Sequence, residues 1–115
     1  EQLELIKYCY DNLDVNIEYS SGLDNPNLTM SLYRRDYSSV YSQVYEIVDL
    51  ADYVNTVPSQ TKNENEYVIN QVPSGVMKYS LSMKNALTSG TYKIVIKLYD
   101  EDEYIGEAFD YIIIK

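Results

Sequence analysis

Between Thr91 and Tyr99 apolar and polar side chains alternate with little interruption: Tyr92, Ile94, Ile96 and Leu98 fall on one face, and Lys93, Val95, Lys97 and Tyr99 on the other. A two-residue period belongs to an extended strand, because successive side chains there point to opposite sides of a sheet. One face is wholly apolar and the other mixed, which suits a central strand with a buried side. The acidic run Asp100, Glu101, Asp102 and Glu103 supplies a polar tip. Residues 104–114 then return as a second strand, in which Gly106 allows a bulge or a close backbone approach. The last quarter of the chain therefore reads as a long β-hairpin.

The same period recurs upstream. Residues 3–10 form a first run, and residues 13–20 place Leu13, Val15, Ile17 and Tyr19 against Asp14, Asn16, Glu18 and Ser20. Leu28, Met30 and Leu32 mark a third strand after the turn-forming Asp24-Asn25-Pro26-Asn27. Residues 66–72 and 76–83 resume strand character on either side of Pro73-Ser74-Gly75, with Met77, Tyr79, Leu81 and Met83 in phase. Residues 41–54 fit two patterns, an amphipathic helix or a strand over 43–48 followed by a short helical turn that Asp49 caps. The strand is favoured, because a lone long helix sits awkwardly among so many strands. Residues 55–66 are polar, contain Pro58 and form the longest loop, a candidate crossover between sheets.

Composition narrows the classes of function. Nine basic and eighteen acidic residues give a net charge of -9, distributed along the chain, whereas binding a phosphate backbone needs a stripe of Lys and Arg. Nucleic acid is not an expected partner. Arg34-Arg35 is the single dibasic pair, and on a strand its members point to opposite faces, as solvated surface charge. The longest uncharged apolar run, residues 111–114, falls far short of the roughly 18 residues of a membrane-spanning candidate, so no membrane insertion is expected. The chain has one Cys, Cys9, and no His. Cys9 has no internal disulfide partner and no imidazole to act as its base, so it is read as a packing residue. Catalytic triads, phosphate loops and Cys/His zinc spacings lack their parts, and the chain is expected to be no enzyme and to need no cofactor and no metal. Four consecutive acids at the hairpin tip project in different directions and read as a solvated turn, since calcium sites use spaced acids with a Gly at the bend.

Fourteen Tyr and no Trp form the compositional oddity. Tyr suits a half-buried sheet, and it equally suits a binding surface where the ring stacks and the hydroxyl bonds. Tyr19, Tyr79 and Tyr92 lie in phase with apolar neighbours and are expected in the core. Tyr33, Tyr37, Tyr41, Tyr45 and Tyr53 recur through the middle of the chain and are the candidate ligand surface, suited to a sugar or a protein.

Ser89-Gly90-Thr91-Tyr92 places a Tyr at the start of the penultimate strand after a turn carrying Gly. This resembles the tyrosine corner of immunoglobulin-like sandwiches, in which the hydroxyl bonds back to the backbone of the preceding turn. The chain lacks the disulfide and the Trp of antibody domains, so the resemblance is to the wider class. Leu87-Thr88-Ser89-Gly90-Thr91-Tyr92-Lys93, with Leu98-Tyr99-Asp100 and Ile105-Gly106-Glu107, is similar to the closing hairpin of immunoglobulin-like modules in surface and secreted proteins of Gram-positive bacteria. The resemblance covers about the last quarter of the chain. It implies an all-β, immunoglobulin-like antiparallel β-sandwich of seven or eight strands, with Val15, Ile17, Met30, Leu32, Tyr79, Leu81, Ile94 and Ile96 on the inner faces. The expectation is one such domain over residues 1–115, excised from a larger extracellular or cell-surface protein. It would serve as a non-catalytic spacer or adhesive module, with neighbouring domains of the parent protein as partners. The alternative is a carbohydrate-binding module that uses the exposed tyrosines.

Overall fold

The computed structural model describes residues 2–8, 11–19, 23, 25–36, 44–70 and 75–115. Within them, eight strands follow one another: β1 (Gln2–Tyr8), β2 (Asn12–Tyr19), β3 (Pro26–Asp36), β4 (Val44–Ile47), β5 (Tyr67–Asn70), β6 (Gly75–Ser82), β7 (Gly90–Asp100) and β8 (Glu103–Ile114). A 3₁₀ turn, Leu50–Asp52, lies between β4 and β5. The chain is all-β and its pairings are antiparallel: a three-stranded sheet in the order β1-β2-β6, and a five-stranded sheet in the order β4-β3-β7-β8 with β5 also paired to β3.

The sheets share one core because each presents its apolar phase inward. Leu13, Val15 and Ile17 of β2 and Leu81 of β6 meet Leu28, Met30 and Leu32 of β3 and Tyr92, Ile94, Ile96 and Leu98 of β7. Burying one such aliphatic side chain is worth roughly 1.5–3 kcal/mol, so the two central strands carry much of the stability. Of the inner-face residues read from the sequence, seven are buried, while Tyr79 is half-buried and packs against the core edge. Tyr19 and Met77 lie on strands, and the structure describes their backbone alone.

The terminal hairpin forms as the alternation requires, with β7 central between β3 and β8. Its ladder slips by one residue where Leu98 opposes Gly106 and Tyr99 opposes Tyr104, leaving Ile105 as the extra residue of a bulge. The tip is the exposed pair Glu101 and Asp102, with Glu101 in the left-handed region at φ 53°. At the other end of β7, the Tyr92 hydroxyl donates to the Thr88 carbonyl at 2.9 Å while its ring is fully buried. This is the bond back to the preceding turn anticipated from Ser89-Gly90-Thr91-Tyr92. Gly90 occupies φ 148°, a conformation that strains any residue with a Cβ.

One expectation is corrected here, and one is qualified. Arg34 is not a solvated surface charge: it is half-buried at the end of the inner face of β3, its Nη2 donates to the Ser89 carbonyl at 3.0 Å, and its guanidinium lies 5.9 Å from the Tyr92 ring centre. The even phase of β3 is the inner one, so Arg34 follows Leu32 toward the core and finds the corner as its partner. Residues 55–66 do run between the sheets, but as the return leg of an excursion, since β4 and β5 both pair with β3. The chain visits the smaller sheet where Val54 bridges Met83 and the Asn55 amide donates to the Ser82 carbonyl, then returns.

The ambiguous middle segment resolves as a strand followed by a helical turn. β4 is Val44–Ile47, and the Asp49 carboxylate accepts from the Ala51 amide at 2.9 Å, capping the 3₁₀ turn. Cys9 lies outside the described residues.

Candidate functional site

The inner face of the five-stranded sheet is closed by the core, so any site on this sheet belongs to its outer face. There β4 contributes Tyr45 and Ile47, β3 contributes Asn27, Thr29, Ser31 and Tyr33, β7 contributes Lys93, Val95, Lys97 and Tyr99, and β8 contributes Tyr104, Glu107, Phe109, Tyr111 and Ile113. Cross-strand register divides this face into two ends.

At the end near Tyr33, which opposes both Ile47 and Lys93, the surface is aromatic and apolar. The rings of Tyr45 and Tyr111 reach toward each other over the two strands between them, with centres 5.9 Å apart and planes at 45°. Phe109 meets Tyr111 edge-on at 5.6 Å and 78°. The Lys93 ammonium sits 4.4 Å from the Phe109 ring centre and 6.0 Å from that of Tyr45, within cation–π range. Phe109 and Tyr111 remain about half exposed and Ile113 is 68 % exposed, a cluster of large apolar groups facing solvent.

At the other end the face is polar and enclosed. Residues 61–66 fold over β3, β5 and β7, leaving a cleft of about 270 Å³ floored by Asn27, Thr29, Val68 and Tyr99. Its central group is Glu66, 4 % exposed. The turn before β5 places it there: the Glu66 amide donates to the Asn63 carbonyl at 3.2 Å, and Asn65 takes a left-handed φ of 60° that suits Asn. A buried carboxylate needs donors, and Glu66 has three, with an ammonium close by. Thr61 Oγ1 donates to Oε1 at 2.9 Å, Asn63 Nδ2 donates to Oε1 at 3.1 Å, the Tyr99 hydroxyl lies 3.2 Å from Oε2, and Lys97 Nζ lies 3.7 Å from Oε2. Burial, and then the adjacent Glu66 charge, push the Tyr99 phenol up to about 12, since both penalise the phenolate. The rim carries Lys62 on one side and the hairpin tip, Glu101 and Asp102, on the other.

The sequence-derived tyrosines separate. Tyr33 and Tyr45 share the aromatic end of the outer face. Tyr53 packs against the core instead, where burial and the nearby Tyr92 raise its phenol above the ordinary value. Tyr37 and Tyr41 lie outside the described residues. Phe109, Tyr111 and Lys93, which complete the aromatic end, were not among the candidates. A strand alternation shows which residues share a face, and the inward apolar phase of β7 leaves Lys93 outward, but the pairing of β8 decides which rings meet it. Glu66 has a weaker signal, an acid directly ahead of a short apolar strand.

No protein-family model matches the chain, and no curated protein sequence matches it.

Proposed function

We propose that this chain is an immunoglobulin-like, non-catalytic interaction module of an extracellular bacterial protein, and that its aromatic outer face docks a protein partner. The fold assignment is supported by strand order. The first, second and sixth strands form one sheet and the remaining strands the other, as strands A, B and E face C, F and G in immunoglobulin-like domains, with β4 beside β3 as C′ lies beside C. Tyr92, at the start of the strand in position F, supports the same assignment. The extracellular bacterial setting rests on the resemblance of residues 87–115.

The single observation that carries the functional reading is the exposed cluster of Phe109, Tyr111 and Ile113, with the half-buried Tyr45 beside them, around Lys93. A pure spacer needs no such surface. The planes of neighbouring rings are tilted by 45° and 78°, so they present knobs and edges rather than one flat platform for a sugar ring. Knobs of this kind, with an aliphatic Ile beside them, fit an apolar protein surface carrying a carboxylate opposite Lys93.

The test is site-specific photo-crosslinking in the parent organism, with a photoreactive residue at Phe109 or, as a control on the opposite sheet, at the exposed Ser80. Crosslinking to one defined protein from position 109, lost in Tyr45→Ala and not seen from position 80, is the expected result. Equal labelling from both positions, or retention of the module by a polysaccharide through these same rings, refutes the protein-docking reading.

A further inference from the structure

The cleft around Glu66 is chemically unlike the aromatic end and stands apart from the function proposed for it. Thr29 lines the cleft and is 1 % exposed, yet among the described residues its hydroxyl has no hydrogen-bond partner, and the side-chain oxygen of Asn27 beside it is also buried and unpartnered among them. A buried polar atom left unpaired costs free energy, so two on one wall of a cleft mark where a ligand completes the bonding.

We propose that this cleft binds one neutral sugar residue, alone or as a unit of a glycan. The hydrogen-bonding inventory selects the class. Glu66 already has three donors and the Lys97 ammonium around its two oxygens, which leaves little room for a ligand ammonium to pair with it. An anionic ligand would meet Glu66, Glu101 and Asp102. The open positions are mixed: the Asn27 oxygen accepts, the Thr29 hydroxyl both donates and accepts, and the Tyr99 oxygen, having donated to Glu66, still accepts. Hydroxyl groups donate and accept, whereas an ammonium only donates. Tyr99 and Val68 supply the apolar surface for the C–H face of a pyranose. The volume, about 270 Å³, lies just below the range for drug-sized ligands and suits a single small unit.

The experiment titrates the full ¹⁵N-labelled chain with methyl glycosides of glucose, galactose, mannose and N-acetylglucosamine, and with methylammonium chloride. For at least one glycoside, saturable amide shifts are expected at Asn27, Thr29, Asn63, Glu66 and Tyr99. Thr29→Val removes a hydroxyl that has no partner among the described residues, so it should melt no lower than the parent while binding at least about tenfold more weakly. Phe109→Ser, at the aromatic end, should leave the titration unchanged. The proposal is overturned if no glycoside gives saturable shifts, if Thr29→Val binds as the parent does, if Phe109→Ser abolishes binding, or if methylammonium alone saturates these residues.

Discussion

The two faces of the five-stranded sheet are made by the same strands and obey different rules. On the inner face of β7, Ile94, Ile96 and Leu98 are alike in kind, each buried and each contributing area, and Tyr92 alone adds a hydroxyl bond to Thr88. On the outer face, one residue away in every case, Lys93 lies against rings while Lys97 pairs with a buried carboxylate and Tyr99 bonds to that same carboxylate. Away from the corner where Tyr92 and Arg34 bond to the preceding turn, the inner face asks for apolar volume in the right phase. The outer face depends on which side chains the register brings together, so its chemistry changes along a single strand. Stability is therefore expected to concentrate on the inner side, and recognition on the outer.

That contrast can be broken first on the inner side. Ile96→Ala should cost about 2–5 kcal/mol in urea unfolding, as for other fully buried aliphatic truncations, and a smaller loss would mean that the core is not the common reservoir described. Next is the outer polar end, where Glu66→Ala leaves the Thr61, Asn63 and Tyr99 donors facing an empty site. A loss of about 1–3 kcal/mol is expected, and a gain would show that the buried carboxylate serves the cleft at the expense of the fold. Tyr92→Phe, which keeps the ring and removes the bond to Thr88, should cost about 1 kcal/mol; a change within about half of that would remove the corner from the list of fold determinants.

A pH experiment isolates Tyr99. Its phenol is raised in the folded chain from 10.0 to about 12, so its contribution is fully present below pH 10 and is lost as the pH climbs toward 12. The parent should lose more stability across that window than Tyr99→Phe does, as read from melting temperature against pH. The smallest effect is expected at the aromatic end. Ile113→Ser should change stability by no more than about 0.5 kcal/mol, because the residue is already mostly in water, while weakening docking.

What could be read from the sequence follows the same division. Alternation was enough to place β2, β3 and β7 and their inward residues, because a period of two specifies a face without reference to any partner. The Asp49 cap and the Tyr92 corner were legible for a related reason: each joins residues within four positions of one another. Glu66 was not, since its donors come from the loop before β5 and from β7, and its burial depends on Asn65 adopting a left-handed conformation. Tyr45 shares the outer face with Tyr33, but the ring it meets belongs to Tyr111 in the last strand, a meeting settled by the order β4-β3-β7-β8. Tyr53 follows the 3₁₀ turn, which carries the chain to the edge of the other sheet, so its place in the run of middle tyrosines said nothing about its surroundings.

The bulge at Ile105 has an evolutionary consequence. Ile105 has no opposite number on β7, so its removal leaves Leu98 facing Gly106 and Tyr99 facing Tyr104, and every pair toward Ile114 keeps its place. A one-residue deletion there is absorbed locally, where the same deletion at Ala108 or Asp110 would turn the following half of β8 inside out. This point of length tolerance lies a few residues from Glu101 and Asp102, which rim the cleft. Descendants of this sequence can thus lengthen, shorten or re-aim that rim by insertion and deletion while the core ladder stays in frame.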